Sequence, residues 1–245
     1  MDALQAVSVR VLISPVSLDE AREAHAGGAD IIDVKNVAEG SLGASFPRVI
    51  RAIVDGIGAH NATFSATLGD LPYKPGTAAL AALGAVVSGA RYVKAGLHGI
   101  SNIGQAAEVM RAVREACKDF APEVKVVAAG YADYRRFGGI APAVVLEAAI
   151  DAGCDCAMLD TAFKDGPGLF DVLGDTELRD FVARGHAHGL EIALAGSVGV
   201  GHLRRLHAFG TDIVGVRGAV CRAGDRGGRI DSALVRDFVA CCRRC

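Results

Sequence analysis

Five times along this chain the same junction recurs. Gly28-Ala29-Asp30, Gly89-Ala90-Arg91, Gly153-Cys154-Asp155, Gly189-Leu190-Glu191 and Gly210-Thr211-Asp212 each place a glycine after a helical pattern, then one residue, then a charge, then an apolar run. Glycine supplies the left-handed end of a helix without steric cost, so each junction reads as a helix stop followed at once by a strand start. With the less regular units added, strands are expected near residues 9, 30, 63, 91, 124, 155, 191 and 212, separated by helix-length segments. Eight such units in 245 residues predict an α/β chain folded as a single (β/α)8 TIM barrel, with residues 1–245 forming one catalytic domain. A doubly wound open sheet is the main alternative. It usually has fewer strands, and the near-even spacing argues for closure.

Local signals fit the same plan. Val9 to Ser14 reads as the first strand, Ser17-Leu18-Asp19-Glu20 has the form of a capping box, and Gly27-Gly28 ends the helix it opens. Pro47 suits the first turn of the next helix, and Thr63 to Leu68 reads as the third strand.

Within this frame the second strand, Ile31-Ile32-Asp33-Val34-Lys35, is unusual. Side chains two apart on a strand share a face, so Asp33 and Lys35 point the same way. Lysine is scarce: the chain has six, Lys35, Lys74, Lys94, Lys118, Lys125 and Lys164, against twenty arginines. Lys35 and Lys94 end apolar runs, and Lys164 follows a third run that ends in Asp160. Surface charge does not explain that placement; a need for an amine that can lose its proton does, because guanidinium stays charged. Lys35, Lys94, Asp160 and Arg217 end the second, fourth, sixth and eighth strands. Alternate strands share interior layers, so these four are expected to ring one mouth, with Lys164 reaching over it.

The last two units carry a second signal. Ala195-Gly196-Ser197-Val198-Gly199-Val200-Gly201 follows the seventh strand and Arg217-Gly218-Ala219 the eighth. Loops at these places in such barrels commonly hold a phosphate on backbone N–H groups, so Gly196, Ser197, Arg217 and Gly218 are expected to bind a substrate phosphate. The glycine order does not match GxGxxG, which argues against a dinucleotide.

A lysine with its ordinary pKa near 10.4 is neutral in only about one molecule in a few thousand at pH 7, so a nucleophilic lysine must be tuned by desolvation and neighbouring ammonium groups. Asp33 and Asp160 act oppositely, holding selected lysines charged or carrying protons. An amine, carboxylates and a phosphate cradle together suit Schiff-base chemistry on a phosphorylated aldehyde or ketone. Lys35, with Asp33 on its own face, is the expected imine former; Lys94 is better placed for proton transfer at carbon.

Composition narrows the partners. A net charge of −2 with no basic block suggests neither nucleic acid nor an anionic membrane surface. No apolar run is long enough for a membrane span, and the first residues lack the order of a secretory signal, so a cytoplasmic protein is expected. Seven scattered cysteines do not resemble a disulfide framework, and one CxxC at Cys242 and Cys245 with one CxC at Cys154 and Cys156 do not make a zinc site. No metal and no cofactor is expected. The oligomeric state, a homo-oligomer included, is open.

Asp33-Val34-Lys35, Tyr92-Val93-Lys94-Ala95-Gly96 and Leu159-Asp160-Thr161-Ala162-Phe163-Lys164-Asp165-Gly166, in that order, resemble the motifs of the (5-formylfuran-3-yl)methyl phosphate synthase family, lyases that make the furan precursor of methanofuran. The resemblance runs the length of the chain. It implies condensation of two glyceraldehyde 3-phosphates, one after isomerisation to dihydroxyacetone phosphate, with loss of phosphate and water. By it, Lys35 matches the Schiff-base lysine, Lys94 the proton acceptor, and Asp33, Asp160 and Lys164 further active-site positions. The cysteine-rich end, Cys241 to Cys245, has no place in the pattern.

Three other readings compete. A decarboxylase-type barrel also carries Asp-x-Lys, but with an aspartate three residues after the lysine, where this chain has Ala38. A lysine-dependent aldolase or triose-phosphate isomerase would use much the same residues. A non-catalytic phosphosugar-binding barrel would need no cluster of lysines.

Overall fold

The five junction glycines, Gly28, Gly89, Gly153, Gly189 and Gly210, have φ of 89°, 105°, 65°, 75° and 81°, a region in which a Cβ is strained. In the computed structural model, which describes residues 9–245, each turns a helix back into a strand. The strands are β1 (Arg10–Ile13), β2 (Ile31–Val34), β3 (Thr63–Pro72), β4 (Tyr92–Gly99), β5 (Lys125–Tyr131), β6 (Cys156–Asp160), β7 (Glu191–Leu194) and β8 (Ile213–Val216). All pair in parallel in chain order, and β8 closes onto β1. Around them run α1 (Leu18–Ala26), α2 (Pro47–Ile57), α3 (Pro75–Val87), α4 (Ile103–Phe120), α5 (Pro142–Asp151), α6 (Leu169–Val172), α7 (Asp175–Ala187), α8 (Leu203–Phe209) and α9 (Ser232–Arg244). The fold is the expected (β/α)8 barrel. Each strand begins within one residue of its predicted start.

The charge in the junction has a physical role that the pattern alone does not reveal. Asp30, Asp155 and Asp212 each accept the backbone N–H of the neighbouring strand, from Val11 at 2.8 Å, Val126 at 2.8 Å and Ile192 at 2.7 Å. The carboxylates thus satisfy donors at the lower rim, where the ladder begins.

Two local expectations are adjusted. Ser17 Oγ accepts from Glu20 N at 3.3 Å, but the Glu20 carboxylate accepts from Val16 N at 3.0 Å and turns inward, so the box is not reciprocal. Strand β3 runs past Leu68 to Pro72 because β4 also continues and pairs with it, Asp70 opposite Gly96 and Pro72 opposite Gly99.

Strand residues alternate between two apolar compartments. Ile32, Val34, Val93, Leu159 and Leu194 pack outward under the helices, and Leu12, Ile31, Tyr92, Val127 and Met158 fill the barrel, which is why the strands read as nearly continuous apolar runs. A shear of about eight over eight strands advances alternate strands by about two residues. With the observed pairings, that puts Asp33, Lys94, Met158 and Gly215 in one layer and Lys35, Gly96, Asp160 and Arg217 in the layer above. The expectation of a single ring is corrected: Lys94 lies one layer below the other three. No helix among the described residues is long and apolar enough to cross a membrane.

Candidate active site

Strand β2 delivers Asp33 to the barrel centre with no exposed surface. Its Oδ2 faces Lys94 Nζ at 2.7 Å and accepts from Ser14 Oγ at 3.0 Å. The Lys94 contact is close but poorly directed, leaving Lys94 Nζ, Asp33 Oδ1 and the nearby Ser65 Oγ without a well-formed hydrogen bond. Burial pushes the Asp33 carboxyl upward, and Lys94, then Lys35, overcome it, so its pKa is held below the ordinary value. Asp33 and Met158 line the cavity at the top of the barrel; Lys94, of the same layer, does not, and its ammonium is turned onto Asp33.

Lys35, one residue beyond β2, is 5% exposed and has no carboxylate partner within salt-bridge distance among the described residues. Its Nζ donates to the Ser41 carbonyl at 3.3 Å. Burial lowers its pKa to about 7, against the opposing pull of Asp160 and Asp33 and with help from Lys94 and Arg226. An amine lowered in this way is the kind that the expected Schiff-base chemistry would call for. The loop after β2 makes it so, since buried Leu42 and Ser41 fold back over the barrel and exclude water from one side of it.

Across the cavity, Asp160 ends β6. Lys164 Nζ sits 2.5 Å from its Oδ1, which also accepts from Thr161 N at 2.8 Å, and Ser41 Oγ donates to Oδ2 at 3.3 Å. Burial raises the carboxyl pKa, but Lys164 and then Lys35 drive it far below the carboxylate range. Lys164 is held in reach because its loop is pinned: Asp133 accepts from Ala162 N and Phe163 N at 2.7 and 3.0 Å, and Arg136 pairs with Asp165 through two contacts of 2.8 and 2.6 Å.

The remaining wall comes from the loops after β7 and β8. Gly196, Ser197, Gly218 and Ala219 line the cavity, and their backbone N–H groups donate to no group among the described residues. Ser197 holds φ at 53°, a strained setting for a residue with a side chain. Arg217 requires a correction. Its guanidinium donates to Glu20 Oε2 at 2.7 Å and Oε1 at 3.2 Å, and to the carbonyls of Ser14, Arg226 and Gly228 at 2.8, 3.0 and 3.3 Å. Its donors are committed inside the protein, so it holds the loop rather than a phosphate. Sequence reasoning missed Glu20, hidden as a capping-box residue, and Arg226, which nothing in its local pattern distinguishes.

The cavity has a volume of about 350 Å³, within the range for a small-molecule site. In it one amine of depressed pKa stands between two carboxylates, each already matched to another ammonium. Both carboxylates are thus engaged, and no group of three or more His, Cys, Asp or Glu side chains able to hold a metal occurs among the described residues.

Residues 11–239 match the family model described as 4-HFC-P synthase. The chain is 54% identical over 234 residues to the (5-formylfuran-3-yl)methyl phosphate synthase of Methanocaldococcus jannaschii, covering 95% of this chain and 99% of that one. It is 53% identical over 228 residues to the enzyme of the same name from Methanopyrus kandleri, covering 93% and 96%. Among solved structures, KGPDC from Streptococcus mutans superposes with a TM-score of 0.65 at 15% identity, over 96% of this chain and 98% of that one. 3-Hexulose-6-phosphate synthase gives 0.64 at 18%, over 96% and 99%. These two likenesses speak to the fold.

Proposed function

The chain belongs to the 4-HFC-P synthase family, and on that premise we propose that it condenses two glyceraldehyde 3-phosphates, one first isomerised to dihydroxyacetone phosphate, into (5-formylfuran-3-yl)methyl phosphate. One inorganic phosphate and two waters are lost, which balances the atoms and makes the enzyme a carbon–oxygen lyase. The product would serve methanofuran assembly in a cytoplasmic setting.

One observation carries the reading: Lys35 is a buried amine with pKa lowered to about 7 in a cavity that it shares with Asp33, Asp160 and Lys164. Neutral Lys35 attacks the ketone of dihydroxyacetone phosphate, and loss of water gives the imine. Asp33 faces the cavity and takes the proton from the neighbouring carbon, giving an enamine that attacks the aldehyde of the second triose. Lys94, 2.7 Å behind Asp33, meets the cavity only through that carboxylate. It gives up its proton by way of Asp33 to the departing carbinolamine water and, then neutral, is the acceptor for the proton that Asp33 draws from carbon. Lys164, held on Asp160, donates to the alkoxide as the new carbon–carbon bond forms. Gly196, Ser197 and Gly218 offer backbone N–H groups to a phosphate.

The test is incubation of the protein with glyceraldehyde 3-phosphate alone, followed by mass and ultraviolet absorbance. A furan of the expected mass supports the proposal. A non-absorbing six-carbon product reduces the activity to an aldolase, and no product with no borohydride-trapped adduct removes it.

A further inference from the structure

One cation in the cavity has no part in the chemistry above. Arg226 lies in the segment between β8 and α9, is half-buried, and lines the same cavity as Lys35, Asp160 and Lys164. The other charges are matched: Asp33 by Lys94, Asp160 by Lys164, Arg217 by Glu20. Lys35 escapes by being held near neutrality. Arg226 does neither, since its guanidinium makes no hydrogen bond or ion pair among the described residues. Burial lowers its pKa despite the pull of Asp160, so it has lost water without gaining a protein anion.

Its placement is built rather than accidental. Arg217 Nε donates to the Arg226 carbonyl at 3.0 Å and Arg217 Nη2 to the Gly228 carbonyl at 3.3 Å, while Gly228 N closes a turn onto Asp225 O at 2.8 Å. Ala223, with φ of 58°, holds a left-handed backbone three residues before Arg226. A Cβ placed on Gly218 would lie 3.9 Å from the Arg226 Cβ, so the Arg226 side chain starts beside the unbonded N–H groups of Gly218 and Ala219. Those groups are uncharged donors. A phosphate monoester that they accept carries about two negative charges near neutral pH, like a phosphorylated side chain, and the planar fork of an arginine matches its oxygens.

We propose that Arg226 is the cation that binds the substrate phosphate against the N–H groups of Gly196, Ser197, Gly218 and Ala219, and that the buried Glu20–Arg217 pair is the positioning device that aims it. This rests on the reading of triose phosphates as substrates. The task that the sequence pattern gave to Arg217 is thereby divided: one arginine shapes the segment and the other meets the ligand.

Arg226→Gln tests this with paired probes. Borohydride trapping on Lys35 is measured with dihydroxyacetone phosphate and with unphosphorylated dihydroxyacetone, and inorganic phosphate binding is measured by calorimetry. The expected result is half-maximal trapping of the phosphorylated ketone at about 10- to 100-fold higher concentration, the scale of a charged hydrogen bond, with unphosphorylated trapping unchanged and phosphate binding weakened alike. Arg226→Lys, which keeps the charge, should recover part of the loss and guards against misfolding. Equal loss with both ketones, or phosphate binding unaltered in Arg226→Gln, overturns the assignment. If wild-type protein traps no ketone, the Schiff-base reading falls, while phosphate binding by the two Arg226 variants still decides this one.

Discussion

Charges close both ends of the barrel, and the two ends treat lysine in opposite ways. At the lower end Glu191 accepts from Lys125 at 2.6 Å, from Arg10 at 3.0 Å and from Tyr92 Oη at 3.1 Å, while Tyr92 Oη accepts from Arg10 at 2.8 Å. These groups keep some contact with water. Burial pulls the Lys125 pKa down, but Glu191 and Tyr92 outweigh it and the net shift is upward. At the upper end Lys35 has a carbonyl in place of a carboxylate and is 5% exposed, and its pKa falls to about 7. Two lysines on one barrel therefore differ by which partner is within reach and how much water remains. The lower cluster is closed by its own partners, and the upper one is left incomplete where it borders the cavity.

The largest expected break in this comparison is Lys35→Arg. Arginine keeps a charge but cannot form the imine, so turnover should fall by at least about four orders of magnitude, more than the loss of a general acid or base, because the covalent route itself is removed, and the borohydride adduct should vanish from the peptide containing residue 35. A label that maps to Lys94 or Lys164 instead would reassign the nucleophile.

Next is the contrast between Asp33→Asn and Glu191→Gln. Asp33→Asn leaves the Lys94 ammonium, 2% exposed, without its counter-ion, and should cost about 3–5 kcal/mol of stability together with about 10²- to 10⁴-fold in kcat. At Glu191 the partners are partly hydrated, so Glu191→Gln should cost about 1 kcal/mol and leave kcat alone. Denaturant titration and steady-state rates measure both, and equal losses would erase the distinction between the ends.

The third prediction concerns pH. Imine trapping on Lys35 should rise with pH to a plateau above about 7 and fall about tenfold per unit well below it, as the neutral amine does. The linkage has the same sign: between about 7 and 10.5 the unfolded chain holds the Lys35 proton that the folded chain has released, so this residue makes stability rise with pH across that window. A profile centred near the ordinary lysine value would show that Lys35 is not desolvated in solution. The smallest effect is expected from Tyr92→Phe, which removes one hydroxyl from the lower cluster and should cost about 0.5–1.5 kcal/mol with kcat unchanged. Thermal melts and rates would check it.

Much of the site could be read along the chain because it lies at strand ends. Asp33, Lys35 and Asp160 were each marked by a charge closing an apolar run, and all three line the cavity. The depth of Lys94 was not legible, because it depends on how far alternate strands advance around the closed barrel. Glu20 passed as an ordinary helix cap, since its true partner, Arg217, lies 197 residues away. Arg226 sits among glycines and charges in a segment with no periodicity to mark which side chain turns inward.

The sequence by itself determined the (β/α)8 architecture and the residues at the mouth, because helix stops, strand starts and apolar periodicity are local properties of a few adjacent residues. Only the tertiary structure decided which charge meets which. Lys94 is paired with Asp33 in its own layer, Arg217 is matched to Glu20, and Lys35 and Arg226 are left without carboxylate partners among the described residues. The reason is physical: pairing and desolvation depend on distances across the barrel, and those are set by closure and register rather than by any neighbour along the chain.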